Sequence, residues 1–185
     1  MARVTEKPLA ALGAALMLAA CGIASAQEVA LATDAPESKF LTDAIRGDLA
    51  EVKLGELAQQ KGQSEGVRDF GKMLAEDHSK AMKKTVDVAK DLNVIPPTQP
   101  TAEQMQKYAA LERLSGAEFD RQFAADMVKG HQEEIAKYKK QAQGGNPKVA
   151  ELAEDLVPTL EHHLATAQSL QSGGGASHEP DRSPN

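Results

Sequence analysis

Residues 67–92 read VRDFGKMLAEDHSKAMKKTVDVAKDL and carry apolar side chains three and four positions apart. This spacing places the apolar side chains on one stripe of an α-helix, whose remaining surface is charged. Asp77 and His78 flank the centre of the stripe, the side that a bundle would bury. The segment therefore predicts a long amphipathic helix with polar residues on its buried side.

The same periodicity on either side of this segment predicts three more long helices. One precedes it, from about Ser38 to Lys61, and ends at Gly62. Another begins after Ser115 and runs to about Gln143, and the last begins at Asn146-Pro147, an N-cap followed by proline at the first helical position. Pro158 lies inside this last helix and predicts a kink.

The connection between the second and third long helices is long. Pro96, Pro97 and Pro100 exclude a helix there, whereas the capping-box pattern of residues 101–104 begins a shorter helix. A long crossover between two tight hairpins is typical of ferritin-like bundles, and an up-down-up-down bundle is the alternative. We predict an all-α fold, a ferritin-like four-helix bundle over residues 37–172 with a helix-containing crossover between helices two and three.

The N-terminus has the features of an export signal. Arg3 and Lys7 precede an apolar run over residues 9–20, too short for a membrane span. Ordinary cleavage after Ala26 competes with lipidation of Cys21, which follows a lipobox-like Leu-Ala-Ala. We predict a signal peptide over 1–26, or over 1–20 with a lipidated Cys21, then a linker over 27–36 and, at the other end, a disordered tail over 173–185.

Charge and motif content narrow the function classes. The chain has 27 acidic against 21 basic residues, a net charge of −6, which disfavours nucleic-acid binding. No glycine-rich phosphate loop or nucleophile motif occurs, so we predict no catalytic residue. We expect a periplasmic or secreted protein, or one lipid-anchored to the outer membrane, with no transmembrane span in the mature chain. A homo-oligomer or an envelope protein partner stays open.

Polar residues recur on the apolar faces of all four long helices. Asp48 lies inside the first stripe, and Asp120 lies on the third helix about three turns before His131. Counting from the hairpin loops brings six other residues to similar depth and makes them the candidate metal ligands: Glu51, Asp77, His78, His131, Glu134 and His163.

Two interpretations of these six residues compete. They form a buried network that fixes helix register, or they hold iron, manganese, zinc or copper, since carboxylates and imidazoles on facing helices bind such metals in bundles. A ferritin-type ferroxidase centre is disfavoured, because the Glu-x-x-His pattern is missing: Ala75, Val128 and Leu160 stand three residues before the histidines.

Four segments carry a family resemblance: GDLAEVKLGELA, VRDFGKMLAEDHSKAM, LSGAEFDRQFAADMVKGHQEEI and LVPTLEHHLATAQSL. They resemble the exported bacterial family of domain of unknown function 4142, ferritin-like proteins often labelled as outer membrane proteins. The resemblance covers about residues 36–171. It implies a ferritin-like bundle in the envelope, no established activity, and characteristic positions at Glu51, Asp77, His78, Asp120, His131 and His163.

We therefore expect an exported bundle of unassigned activity that binds a transition metal, in envelope metal handling or stress response. The alternative is a non-catalytic structural or interaction module, whose polar layer only fixes helix register. The residues name no substrate, which favours a role other than catalysis.

Overall fold

The computed structural model describes residues 36–173, which form helices and connecting turns without any strand. Its helices are α1 (Pro36–Lys61), α2 (Glu65–Asp91), α3 (Ala102–Glu112), α4 (Gly116–Ala142) and α5 (Pro147–Gln171). Helix α1 begins at Pro36, inside the predicted linker, and α5 continues through Pro158. Three predicted parts lie outside the described residues: the signal peptide with Cys21, the rest of the linker, and the tail apart from its first residue.

Local capping explains where most of these helices begin. The Ser64 hydroxyl accepts the Val67 N–H at the start of α2, and Asn146 caps α5 before its first-turn proline. The capping box predicted from Thr101 forms at α3. Helix α4 begins after Ser115, as predicted, but the Ser115 side chain makes no capping hydrogen bond to its first turn.

The ends of the helices define the topology. Asp120, near the start of α4, accepts the backbone N–H groups of Gln63 and Ser64 in the α1–α2 turn, both at 2.8 Å. At the opposite end, the Asn146 N–H donates to Glu37 at the start of α1. The connection through α3 therefore runs the length of the bundle, so that α2 and α4 are parallel.

Neighbouring helices in this bundle are antiparallel. Helix α1 packs on α2 and on α4, and α5 packs on α4 and on α2. An up-down-up-down bundle would instead pack its second long helix against its third, so that alternative is wrong. The predicted all-α, ferritin-like four-helix bundle with a helical crossover is confirmed.

The hydrophobic core consists of two halves with a polar layer between them. The half near the α1–α2 turn contains Phe70, Phe123 and Ala167, and the other half contains Ile45 and Leu152. Along each long helix, the predicted polar residues stand between those that supply the two halves. The layer consequently lies at mid-bundle, as the depth count predicted.

Two glycines set the spacing of α1 and α2 beside this layer. A Cβ at Gly55 would stand 2.5 Å from the Gly71 carbonyl oxygen, and a Cβ at Gly71 would stand 2.6 Å from that of Gly55. Any larger side chain would force the two backbones apart. Among residues 36–173, none of the helices is long and apolar enough to cross a membrane.

Candidate metal centre

Three buried histidines from three helices meet in the polar layer. His78 of α2, His131 of α4 and His163 of α5 each have at most 2% of their surface exposed. One ring nitrogen from each lies within 4.8 Å of those of the other two. The predicted histidines are therefore brought together. One nitrogen of each ring also lies within hydrogen-bond distance of an acceptor, which is Asp48, the Met127 carbonyl or Asp77.

His131 is held in one tautomer by the backbone of its own helix. Its Nδ1 lies 3.0 Å from the Met127 carbonyl oxygen, which only accepts, so Nδ1 carries the proton. Burial, reinforced by the charge of His78, lowers the pKa of His131 to about 3. The neutral ring therefore presents the lone pair of Nε2, which lies 3.3 Å from Nδ1 of His163.

His163 lies between His131 and a carboxylate. Its Nε2 is 3.3 Å from Oδ2 of Asp77, whose Oδ1 accepts from Lys80 at 2.9 Å. Burial opposes ionisation of Asp77, but the hydrogen bonds from Lys80 and His163 outweigh it and lower the pKa of the carboxyl. Asp77 is thus a carboxylate that can only accept, and it favours a proton on Nε2 of His163.

At neutral pH, the contacts that run from Met127 through His131 and His163 to Asp77 cannot all be hydrogen bonds, because one of them lacks a proton. His163 would need protons on both nitrogens to donate to Asp77 and to the lone pair of His131. Burial, followed by the charge of His78, lowers the pKa of His163 to about 4, so the ring is neutral. With its proton facing Asp77, two nitrogen lone pairs oppose each other across 3.3 Å.

His78 pairs with a carboxylate of the neighbouring helix. Its Nδ1 lies 2.9 Å from Oδ1 of Asp48, a fully buried residue of α1. Burial alone would lower the pKa of His78, but the bond to Asp48 and the charges of Glu134 and Glu51 raise it to about 9. Within the described chain, His78 Nε2 and Asp48 Oδ2 are buried without a hydrogen-bond partner.

Glu51 and Glu134 complete the layer between α1 and α4. An ideal Cβ at Gly130 would stand 4.0 Å from Oε1 of Glu51, and one at Gly47 would stand 3.9 Å from Oε1 of Glu134. Burial raises the pKa of Glu51, and it raises that of Glu134 to about 7. Glu51 Oε2 is a third buried atom without a partner among the described residues.

The two hairpins contribute to the layer in the same way. Gly47-Asp48 and Glu51 of α1 correspond in spacing to Gly130-His131 and Glu134 of α4. In each hairpin, the residue after the glycine contacts a histidine of the following helix: Asp48 contacts His78, and His131 contacts His163. The two hairpins thus supply the layer with residues at matching sequence spacing.

The predicted residues therefore divide into three groups. The histidines converge, Asp77 orients one of them, and Glu51 and Glu134 act on the site through their charge rather than through contacts in the nitrogen cluster. Asp48 was missing from the predicted ligand set. Counting residues from the first hairpin turn could have found it. Asp48 lies 13 residues before Lys61, the end of α1, and His78 lies 13 residues after Glu65, the start of α2, so both lie at the same depth.

Asp120 belongs to a different part of the bundle. Its two carboxylate oxygens hold the turn that joins α1 to α2, as described above. Its role in the described structure is to connect α4 to that turn, away from the histidines.

Residues 23–170 match the model of the family described as Domain of unknown function (DUF4142). Because the match covers most of the chain, the protein belongs to this family. No curated protein and no solved structure matches the chain. The family has no assigned activity, so a function has to be argued from the histidine cluster itself.

Proposed function

We propose that this protein binds one divalent first-row transition metal ion through His78, His131 and His163. The observation that carries the proposal is the set of acceptors behind the three rings. Asp48, the Met127 carbonyl and Asp77 each engage one ring nitrogen of one histidine. Metal-binding histidines are commonly oriented in this way, with the second nitrogen held by a carboxylate or a carbonyl.

The nitrogen spacing suits such an ion. Two imidazoles on a tetrahedral zinc ion, with Zn–N bonds of roughly 2.0–2.1 Å, are separated by about 3.3 Å. Nδ1 of His163 and Nε2 of His131 are 3.3 Å apart. His78, within 4.8 Å of both, needs a shift on the order of 1 Å to complete the set. An ion between the lone pairs also relieves their repulsion.

The carboxylates balance the charge that the ion brings into the bundle. Three neutral imidazoles leave a divalent cation uncompensated, and a buried charge is costly without partners. Asp48 and Asp77 stand behind two of the ligands, and Glu51 and Glu134 add two ionisable groups in the same layer. The donor set of nitrogens suits zinc, copper or iron better than magnesium or calcium.

The proposed setting is the bacterial envelope, in metal handling or stress response. Support for export comes from the signal-like N-terminus, with lipid anchoring to the outer membrane through Cys21 as the second route. No substrate is named by these residues, so the proposal is metal binding and not catalysis.

A second candidate function is a structural or interaction module without metal. The contact that favours it is the Asp48–His78 pair, which is buried at 2.9 Å and is complete as an ion pair when His78 is protonated. In that case the layer fixes helix register, as buried polar groups do in some bundles. Three buried polar atoms without partners among the described residues weigh against it.

The test is the metal content of mature protein purified without chelators, measured by plasma mass spectrometry. Stoichiometric metal is expected in the wild type and in His162→Ala, since His162 is an exposed neighbour of a proposed ligand. The metal should be lost in His131→Ala and in His163→Ala. Equal metal in all four proteins, or none in the wild type after incubation with zinc, iron and copper, would refute metal binding at this site.

A further inference from the structure

The three proposed ligands come from both hairpins of the bundle. His78 belongs to the α1–α2 hairpin, whereas His131 and His163 belong to the α4–α5 hairpin. Each of the three side chains has at most 2% of its surface exposed. Exchange of a group buried this deeply requires local opening of the packing around it. An ion therefore reaches or leaves the site only when helices move apart, and the ligands make the interfaces between the two hairpins the places to consider.

The interface between α2 and α5 is held by opposite charges. Lys84 of α2 pairs with Asp155 of α5 at 2.7 Å, and Lys148 of α5 pairs with Asp91 of α2 at 2.5 Å. The two helices also pack more closely on each other than α1 and α4 do. An exposed ion pair contributes little by itself, but the two pairs and the closer packing act in the same direction. The α2–α5 interface is therefore the better joined of the two.

The interface between α1 and α4 is crossed by two acidic side chains instead. Glu51 of α1 reaches to 4.0 Å from an ideal Cβ at Gly130, and Glu134 of α4 reaches to 3.9 Å from one at Gly47. Both glutamates are half-buried. Burial, together with the charge of Glu51, raises the pKa of Glu134 to about 7, so the two carboxyl groups oppose each other. Among residues 36–173, no ion pair joins α1 to α4, which makes this the weaker interface.

We infer that the α1–α4 interface is the gate through which the metal ion enters and leaves, while α2 and α5 stay packed and act as the hinge. This inference rests on the proposed metal site. Gly130 directly precedes the ligand His131, so separation of α1 from α4 uncovers the ligand layer from this side. Glu51 and Glu134 line the gap, and their ionised carboxylates attract a cation. Opening of the bundle, rather than the chelator that competes for the ion, then sets the rate of metal exchange.

The experiment measures zinc release from mature protein whose hairpins are tethered at one interface. Gly47→Cys with Gly130→Cys places two thiols at the α1–α4 interface, where the nearest side-chain atom to an added Cβ is 3.9 Å away. Lys84→Cys with Asp155→Cys is the matched control, because this ion pair joins the same hairpins across the α2–α5 interface. Cys21→Ser removes the one native cysteine. Each protein is loaded with zinc and then treated with a bis-maleimide, which tethers the cysteines, or with N-ethylmaleimide, which only caps them.

The two tethers should act differently on the release of zinc to excess chelator. The α1–α4 tether should slow release by about tenfold or more relative to the capped protein, whereas the α2–α5 tether should change it by less than about twofold, because only the first blocks the opening. In the wild type, the release rate should level off as the chelator concentration rises, since the opening of the bundle limits it.

The outcomes separate the gate from the metal site. Zinc that is bound, but released equally fast with and without the α1–α4 tether, would overturn the gate while metal binding stands. Equal slowing by both tethers would overturn the choice of interface. A wild-type release rate that rises in proportion to chelator concentration without levelling off would also contradict the gate, and this measurement needs no substitution. A wild type that binds no zinc, confirmed by mass spectrometry, would refute metal binding and the gate together.

Discussion

Replacement of Asp48 by Asn should change how metal affinity depends on pH. The bond to Asp48 helps to hold the pKa of His78 at about 9, so at neutral pH this ring carries a proton that a metal must displace. Asn keeps an oxygen that can accept from Nδ1 but removes the charge. The pKa of His78 should therefore fall in Asp48→Asn.

The size of the effect follows from the pKa. A proton bound with a pKa of about 9 weakens the apparent metal affinity at pH 7 by roughly 100-fold, or about 2.7 kcal/mol. Because this pKa is raised, the penalty is present at low pH and disappears as the pH rises through about 9. The wild type should accordingly gain roughly 50-fold in affinity between pH 7 and pH 9 from this group, because the ring is still half protonated at pH 9.

The assay is zinc competition against a chromophoric chelator over this pH range, corrected for protonation of the chelator. The affinity of Asp48→Asn should rise less than that of the wild type over the same interval, since loss of the bond and charge of Asp48 lowers the pKa of His78. Asp155→Asn is the control, because Asp155 forms a surface ion pair with Lys84. A wild-type affinity that does not change with pH, or identical slopes in the wild type and Asp48→Asn, would refute the reasoning.

Three further predictions concern stability, each measured by unfolding of the mature protein. Gly71→Ala places a Cβ 2.6 Å from the backbone of α1 and should lower the free energy of unfolding by about 1–3 kcal/mol. Gly144→Ala is its control: a Cβ there has no atom within 4 Å, and the free energy of unfolding should change by less than about 0.5 kcal/mol. Asp120→Ala removes two hydrogen bonds of 2.8 Å to the α1–α2 turn and should lower the free energy of unfolding by about 1–3 kcal/mol. The metal content should stay the same, and a changed metal content would contradict the separation of Asp120 from the histidine cluster. A metal present at a free concentration of about 100 times its Kd should stabilise the folded protein by about 2.7 kcal/mol, and a chelator should remove this stabilisation. A melting temperature that the chelator leaves unchanged would contradict metal binding.

Much of the bundle could be predicted from the sequence. Apolar periodicity, proline positions and capping residues are local properties, so they located the helices to within about two residues. Loop lengths predicted the two hairpins. The family resemblance was confirmed by the match over residues 23–170. The depth count also placed His78, His131 and His163 in one layer, because a regular helix converts residue number into distance.

Ring orientation and contacts between helices were decided only by the tertiary structure. The sequence could not show that Asp48 rather than Glu51 pairs with His78, since both lie on the same stripe, less than one turn apart. Two other features join residues that are far apart in the chain. These are the contact of Gly55 with Gly71 and the hydrogen bonds of Asp120 to the α1–α2 turn. Periodicity determines the face on which a side chain lies, whereas a hydrogen bond requires atoms of two helices within about 3 Å, a distance that only packing sets.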